Sequence, residues 1–157
     1  MRVVLQRVSE ASVLVDGAVT GEIGPGLLAL VGVAAGDDEE TARRLAAKTV
    51  ALRVFPRGDR GFDATVAEAG GGVLCVSQFT LLGDVRRGNR PSWSGAAEPG
   101  AAAPLVEAYA AAVAAAGVPV AHGVFGAHME VRLVNDGPVT LVLDSAELAR
   151  SRRGSAD

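Results

Sequence analysis

The apolar residues of this chain come in short runs, each cut off by glycine, proline or charge, and that spacing dictates a fold rich in strands. Runs of about four to eight apolar residues between turn signals read as strands, because longer amphipathic stretches are needed for helices. Over 2–8, Val3, Leu5 and Arg7 point one way and Val4, Gln6 and Val8 the other. Residues 12–15 and 18–23 flank Asp16-Gly17, a dipeptide that accepts the positive φ angles of a tight hairpin. Gly24-Pro25-Gly26 then turns into 27–33, a central strand. Further strands are expected at 53–55, at 73–82 behind the triple glycine Gly70-Gly71-Gly72, and at 118–124, 129–134 and 139–143.

Two windows break this pattern with helical spacing. Gly36-Asp37-Asp38 supplies a capping carboxylate, Glu39 and Glu40 suit a positive first turn, and Ala42, Leu45, Ala46, Thr49 and Val50 fall on one face. The second helix is expected over 101–116, with Pro104 in its first turn, Gly117 as its stop, and Leu105, Tyr109, Ala112, Val113 and Ala116 as its buried stripe. The fold class is therefore α+β: one compact domain over 1–144, a mostly antiparallel or mixed, barrel-like sheet with two principal helices packed on it. A polar, flexible tail is expected over 145–157, carrying Arg150, Arg152 and Arg153.

A chain of 157 residues, 49% apolar and 21% charged, is long enough to bury one core and too apolar for disorder. No apolar run could span a bilayer, and the first residues enter a strand pattern at once, so neither membrane segment nor signal peptide is expected. The single cysteine, Cys75, forms no internal disulfide, which suits a cytoplasmic protein. A net charge of −3 speaks against broad binding of nucleic acid, and no DNA partner is expected; one local basic cluster could still meet an RNA end.

No metal site or cofactor is expected: His122 and His128 have no Cys or carboxylate at ligand spacing, and no phosphate-binding glycine loop or nucleophile elbow occurs. Two segments stand out. Ser77-Gln78-Phe79-Thr80-Leu81 ends the strand expected at 73–82; alternation would set Ser77 and Phe79 on one face, Gln78 and Thr80 on the other. It reads either as a strand turning polar at solvent or as a site. Asn135-Asp136-Gly137-Pro138-Val139-Thr140 reads as a turn between the last two strands. Between them, 83–100 is a long aperiodic loop of the kind that is functional or disordered.

Taken in order, Gln6-Arg7-Val8, Ala11-Ser12-Val13, the SQFTL segment, Arg90-Pro91-Ser92 and Leu133-Val134-Asn135-Asp136-Gly137-Pro138-Val139-Thr140 closely resemble the D-aminoacyl-tRNA deacylase family, the bacterial type also called D-tyrosyl-tRNA deacylase. The resemblance runs from Met1 to about Leu143. It implies an esterase that removes D-amino acids from the aminoacylated 3′ end of tRNA, and glycine mischarged on alanine tRNA, acting as a homodimer. It also implies that Gly137-Pro138 is a cis dipeptide reaching into the partner's pocket, held by Arg7, and rejecting L-amino acids by collision with rigid backbone carbonyls. On the residues alone, a strand-edge arginine in solvent is the other reading of Arg7.

The resemblance further sets Ser77, Gln78, Phe79 and Thr80 around the scissile ester, with Phe79, Phe125 and Met129 bordering the adenosine. Thr80 has no histidine or lysine nearby in sequence to take its proton. The resemblance implies instead a reaction assisted by the RNA through the ribose 2′-hydroxyl, with Thr80 orienting. Phe125 and Met129 also fit ordinary apolar packing. Arg86, Arg87 and Arg90, beside Trp93, are candidates for RNA-backbone contact or a solvated charge run. Leu82-Gly83-Asp84 and Trp93 follow the family pattern only loosely. Two other readings compete: a tRNA-end-binding module without catalysis, and an RNA-independent hydrolase of small D-amino acid esters.

Overall fold

The computed structural model describes residues 1–150. Its strands are β1 (Arg2–Val15), β2 (Ala18–Ile23), β3 (Gly26–Gly32), β4 (Phe55–Arg57), β5 (Arg60–Ala64), β6 (Gly72–Ser77), β7 (Val120–His122) and β8 (Glu130–Asp144). Its helices are α1 (Glu39–Ala51), α2 (Pro99–Ala115) and the short α3 (Ser145–Ala149), with a 3-10 helix at Phe79–Leu82.

One mixed sheet organises the molecule, in the order β2-β1-β3-β6-β7, with β8 also paired to β1. Strand β1 runs antiparallel to β2, β3 and β8, whereas β3–β6 and β6–β7 are parallel. The Asp16-Gly17 hairpin forms as expected: φ is 50° and 79° at the two residues, the doubly positive turn that matches the strands' twist. The two ends of the sheet curl toward each other until β2 meets β7. A Cβ on Gly21 would stand 2.2 Å from the His122 carbonyl oxygen, so only glycine permits this closure. The expected α+β class with a barrel-like sheet is what the chain adopts.

The curl gives the sheet two buried sides. Val3, Leu5, Leu27, Ala29, Val31, Val73 and Cys75 face α1 and α2; Val8, Val13, Leu28, Leu74 and Val76 fill the concave side. Each fully buried Leu or Val contributes about 1.5–3 kcal/mol, so these rows dominate stability. Asp38 caps α1 by accepting from the Thr41 N–H at 2.8 Å. The expected inner face holds, with Ala42, Leu45, Ala46 and Thr49 buried and Val50 partly so. Thr49 and the Tyr109 hydroxyl meet at 2.8 Å between α1 and α2, satisfying the one polar atom of a fully buried ring. On α2 the stripe shifts: Ala102, Tyr109, Ala110 and Val113 are buried, Leu105 and Ala112 partly, and Ala116 is exposed.

Several boundaries differ from the sequence reading, each for a visible reason. The strands expected at 2–8 and 12–15 are one strand, β1, since β8 pairs along its whole length. The strand expected at 53–55 begins at Phe55 and pairs with β5 in a small separate hairpin. Strand β6 ends at Ser77, and the residues after it coil into the 3-10 helix, so the alternation expected for Ser77–Gln78–Phe79–Thr80 does not extend past Ser77. Residues 135–140 are not a turn between two strands: β8 continues through them against the same partner, with shifts of register near Gln6 and Val8. The start of the expected tail is helix α3, capped by Asp144 and tied to the first strand where the Ser145 N–H donates to the Met1 carbonyl at 2.9 Å. Arg152 and Arg153 lie outside the described residues.

Candidate active site

The ladder between β3 and β6 stops at the pair Val31–Ser77, and the Gln78 N–H closes it by donating to the Val31 carbonyl at 2.8 Å. From there the chain turns: Leu81 N–H donates to the Gln78 carbonyl at 3.2 Å and Gly83 N–H to the Thr80 carbonyl at 3.0 Å. The turn lies against β3 at Gly32, where a Cβ would stand 2.6 Å from Leu82 and 2.9 Å from the Gln78 carbonyl oxygen. Any larger residue there would push the turn outward. The N–H groups of Phe79 and Thr80 open the helix, so no carbonyl one turn back lies inside it to accept from them. The Gln78 side-chain amide donates to the Thr80 hydroxyl, which stands exposed beside them.

Beside this turn lies a cleft of about 520 Å³, within the size range of small-ligand sites. Ser77, Gln78 and Phe79 form one wall, Phe125 and Met129 another, and Trp93 with Ala96, Ala97 and the start of α2 a third. Phe79 and Trp93 meet edge to face, ring centres 5.4 Å apart and planes at 74°. Met129 is drawn inward where its sulfur accepts from the Val124 N–H at 3.3 Å. The structure thus gathers Ser77, Gln78, Phe79, Phe125 and Met129 at one place, with Thr80 on the adjoining turn. His128 and Glu98 also line the cleft, though sequence reasoning set His128 aside and did not single out Glu98. His128 sits between the two family positions Phe125 and Met129, a signal that was available; Glu98 offered none.

Arg7 is buried, on the face it shares with Val3 and Leu5. Its guanidinium donates to the carbonyl of Asp136 at 3.0 Å and to that of Val54, pairs with the Asp136 carboxylate at 3.1 Å, and lies 5.8 Å from the centre of the Phe62 ring. Several acceptors at once are what a buried arginine requires. From the other side the Asn135 amide donates to the Arg7 carbonyl at 2.9 Å and, at 3.3 Å, to that of Val139. The Gly137-Pro138 peptide bond is cis, and both residues are exposed. Neither they nor Arg7 line the cleft of their own chain.

Of the loop arginines, Arg86 is bound to Asp84 through two contacts of 2.9 and 2.6 Å. Its side-chain hydrogen bonds, followed by the Arg86 backbone N–H, hold the Asp84 carboxyl down at about 2. Arg87 and Arg90 are exposed, with no ion pair among the described residues. Cys75 is buried next to the cleft floor; burial, then the nearby Glu107 charge, pushes its thiol up to about 12, so it is no nucleophile at neutral pH. Among the described residues no three His, Cys, Asp or Glu side chains converge as metal ligands, and no helix is long and apolar enough to cross a membrane.

The family model described as D-Tyr-tRNA(Tyr) deacylase matches residues 4–144. A D-aminoacyl-tRNA deacylase of Thermomicrobium roseum is 57% identical over 157 residues, covering 100% of both chains. One from Deinococcus radiodurans is 56% identical over 144 residues, 92% of this chain and 99% of that one. Among solved structures, the c-Myc DNA Unwinding Element Binding Protein superposes with a TM-score of 0.86 at 34% identity, covering 92% of this chain and 98% of that one. A probable eukaryotic D-amino acid tRNA deacylase superposes with a TM-score of 0.79 over 90% and 97% of the two chains; at 18% identity it supports the fold alone. Matched along nearly its whole length by family, relatives and fold, this chain belongs to the D-Tyr-tRNA(Tyr) deacylase family.

Proposed function

We propose that this protein cleaves the ester joining a D-amino acid to the 3′ end of tRNA, releasing both, as a cytoplasmic homodimer. One observation carries the chemistry: the amides of Phe79 and Thr80, without a backbone acceptor among the described residues, open a tight turn at an apolar cleft, with a hydroxyl beside them that is held by an amide and not by a base. Preorganised amides stabilise the oxyanion that forms as water attacks an ester carbonyl. An aminoacyl ester is already activated, so placing it against those amides supplies much of the rate. The terminal ribose 2′-hydroxyl then activates the water, and Thr80 orients the reacting group without forming a bond to it. Phe79, Phe125 and Met129 hold the adenosine, while Ser77 and Gln78 shape the wall around the ester. Arg87 and Arg90 meet the RNA backbone; Arg86 is already engaged by Asp84.

Chiral selection comes from the second copy. Gly137 and Pro138 are exposed and do not line their own cleft, so a partner's cleft is where their carbonyls can act. An L side chain would strike them; a D side chain points away, and glycine, on alanine tRNA for example, has nothing to clash. A surface for pairing exists on the outer strand: Val142 is 61% exposed and in register with the half-buried Val4, and Thr140 lies opposite Gln6 one step along.

The test is to incubate the protein with D-Tyr-tRNA, L-Tyr-tRNA, Gly-tRNA and a free D-Tyr ester, with and without a chelator. Release from the D-Tyr and Gly species alone, unaffected by the chelator, is expected. Binding without release would leave an RNA-end-binding module instead. Equal cleavage of the free ester would make it a hydrolase independent of RNA. A covalent ester trapped on residue 80 would overturn the role given to the 2′-hydroxyl.

A further inference from the structure

A second pocket, of about 280 Å³, adjoins the cleft and shares Ser77, Val106 and Phe125 with it. Cys75 and Gly123 lie at its base, and Ala103, Val106 and Glu107, spaced along one face of α2, form a wall. His122, at the end of β7, stands opposite, its Nδ1 3.8 Å from the Glu107 carboxylate. That separation is too long for a hydrogen bond, so both groups keep their capacity for a ligand. The Glu107 side chain lines the pocket and is 70% exposed, so its carboxylate is open to a ligand.

Building on the deacylase reading, we propose that this pocket holds the penultimate nucleotide of the tRNA, the cytidine of the common CCA end, and that Glu107 reads its exocyclic amine. The terminal adenosine carries the ester on its ribose, so it must occupy the larger cleft beside the Phe79 and Thr80 amides. The next base along the strand then meets the pocket across Phe125. A carboxylate is the natural acceptor for the cytosine N4 amine. Uracil would set its O4 oxygen against Glu107 with no proton between them. The His122 ring can donate an N–H to the neighbouring acceptor edge or stack on the base, the usual means of reading single-stranded RNA ends. The pocket is about half the volume of the cleft, in keeping with a single base rather than an aminoacyl-nucleoside.

Three stable analogues test this, each with an amide in place of the ester: D-Tyr-adenosine, and the same group on a CA and on a UA dinucleotide. Calorimetry on the wild-type protein is expected to show the CA analogue binding about tenfold tighter than the UA analogue. Glu107→Gln, whose side-chain NH₂ can turn toward O4, is expected to erase or invert that ratio. Equal binding of the CA and UA analogues by the wild type would overturn the assignment. So would a Glu107→Gln protein that loses affinity for all three analogues by the same factor, because Glu107 would then serve the adenosine or the fold. If D-Tyr-adenosine itself fails to bind, the deacylase reading falls and this inference with it. If it binds and only the C-over-U preference is missing, this inference alone is lost.

Discussion

The cleft around Phe79 and the excursion at 135–140 are made in opposite ways. The cleft exposes large apolar groups, Phe79 at 55%, Phe125 at 42% and Trp93 at 41%, and adjoins the N–H groups of Phe79 and Thr80, which have no backbone acceptor among the described residues. The excursion exposes main chain and is fastened from below: Arg7 holds the Asp136 carbonyl and carboxylate, while Asn135 bridges back to Arg7 and Val139. Apolar surface left open signals something to be bound. Rigidly held backbone that faces nothing in its own chain signals something to be struck. Each chain thus carries a hollow and a knob that do not meet, which is the arrangement that the homodimer proposed above requires.

Separating the halves genetically gives the largest expected effect. Arg7→Ala removes charge-assisted hydrogen bonds of about 1.5–3 kcal/mol each, and should lower kcat/KM for D-Tyr-tRNA by about 100-fold while raising relative cleavage of L-Tyr-tRNA. Mixed and refolded with Thr80→Ala, it should yield dimers in which one hollow and one knob are both intact, recovering about a quarter of the wild-type sites. A mixture no more active than its parents would place hollow and knob in the same chain's site. Thr80 alone should matter less. Thr80→Ala is expected to lower kcat by roughly 10- to 100-fold with little change in KM, and Thr80→Ser to stay near wild type, since the orienting role proposed above needs only a hydroxyl. Single-turnover kinetics on D-Tyr-tRNA separate these values; an inactive Ser variant would contradict an orienting hydroxyl.

The two regions also differ in how much the sequence could say about them. Local chemistry foretold the caps and the hairpin: Asp38 and Asp16-Gly17 act through their own neighbours, and the structure shows both as read. It failed at SQFTL, where the β3–β6 ladder stops at Val31 and Gly32 admits a turn against itself, facts that belong to a neighbouring strand. It failed again at 135–140, where turn-forming residues sit inside a strand because β1 offers a continuous partner on either side. Arg7 was legible only through the family resemblance, since its acceptors on Val54 and Asp136 are 47 and 129 residues away in the chain. Glu98 was not legible at all; it enters the cleft because α2 begins there.

A smaller effect should come from the rim of the hollow. Trp93→Ala removes the edge-to-face contact with Phe79. Such pairs are worth about 0.5–1.5 kcal/mol, so KM for D-Tyr-tRNA should rise by about two- to tenfold while kcat holds. An unchanged KM would detach the loop from substrate binding and narrow the hollow to the walls made by residues 77–79 and 125–129.

The smallest effect concerns a charge the hollow keeps occupied. Asp84 holds Arg86 at the start of the same loop, with its carboxyl at about 2 against an ordinary 3.8, chiefly through the Arg86 side chain. A depressed carboxyl keeps its favourable contribution at every pH above its unfolded value and loses it only as pH falls from about 3.8 toward 2. No change of pH in the neutral range therefore frees the arginine; a substitution does. Asp84→Asn should release Arg86 to the RNA backbone, lowering KM for D-Tyr-tRNA by about two- to threefold at low salt and steepening the dependence of log KM on log salt by about one ion. A salt dependence identical to wild type would show that Arg86 points away from the RNA even when free, leaving Arg87 and Arg90 as the loop's only contacts with phosphate.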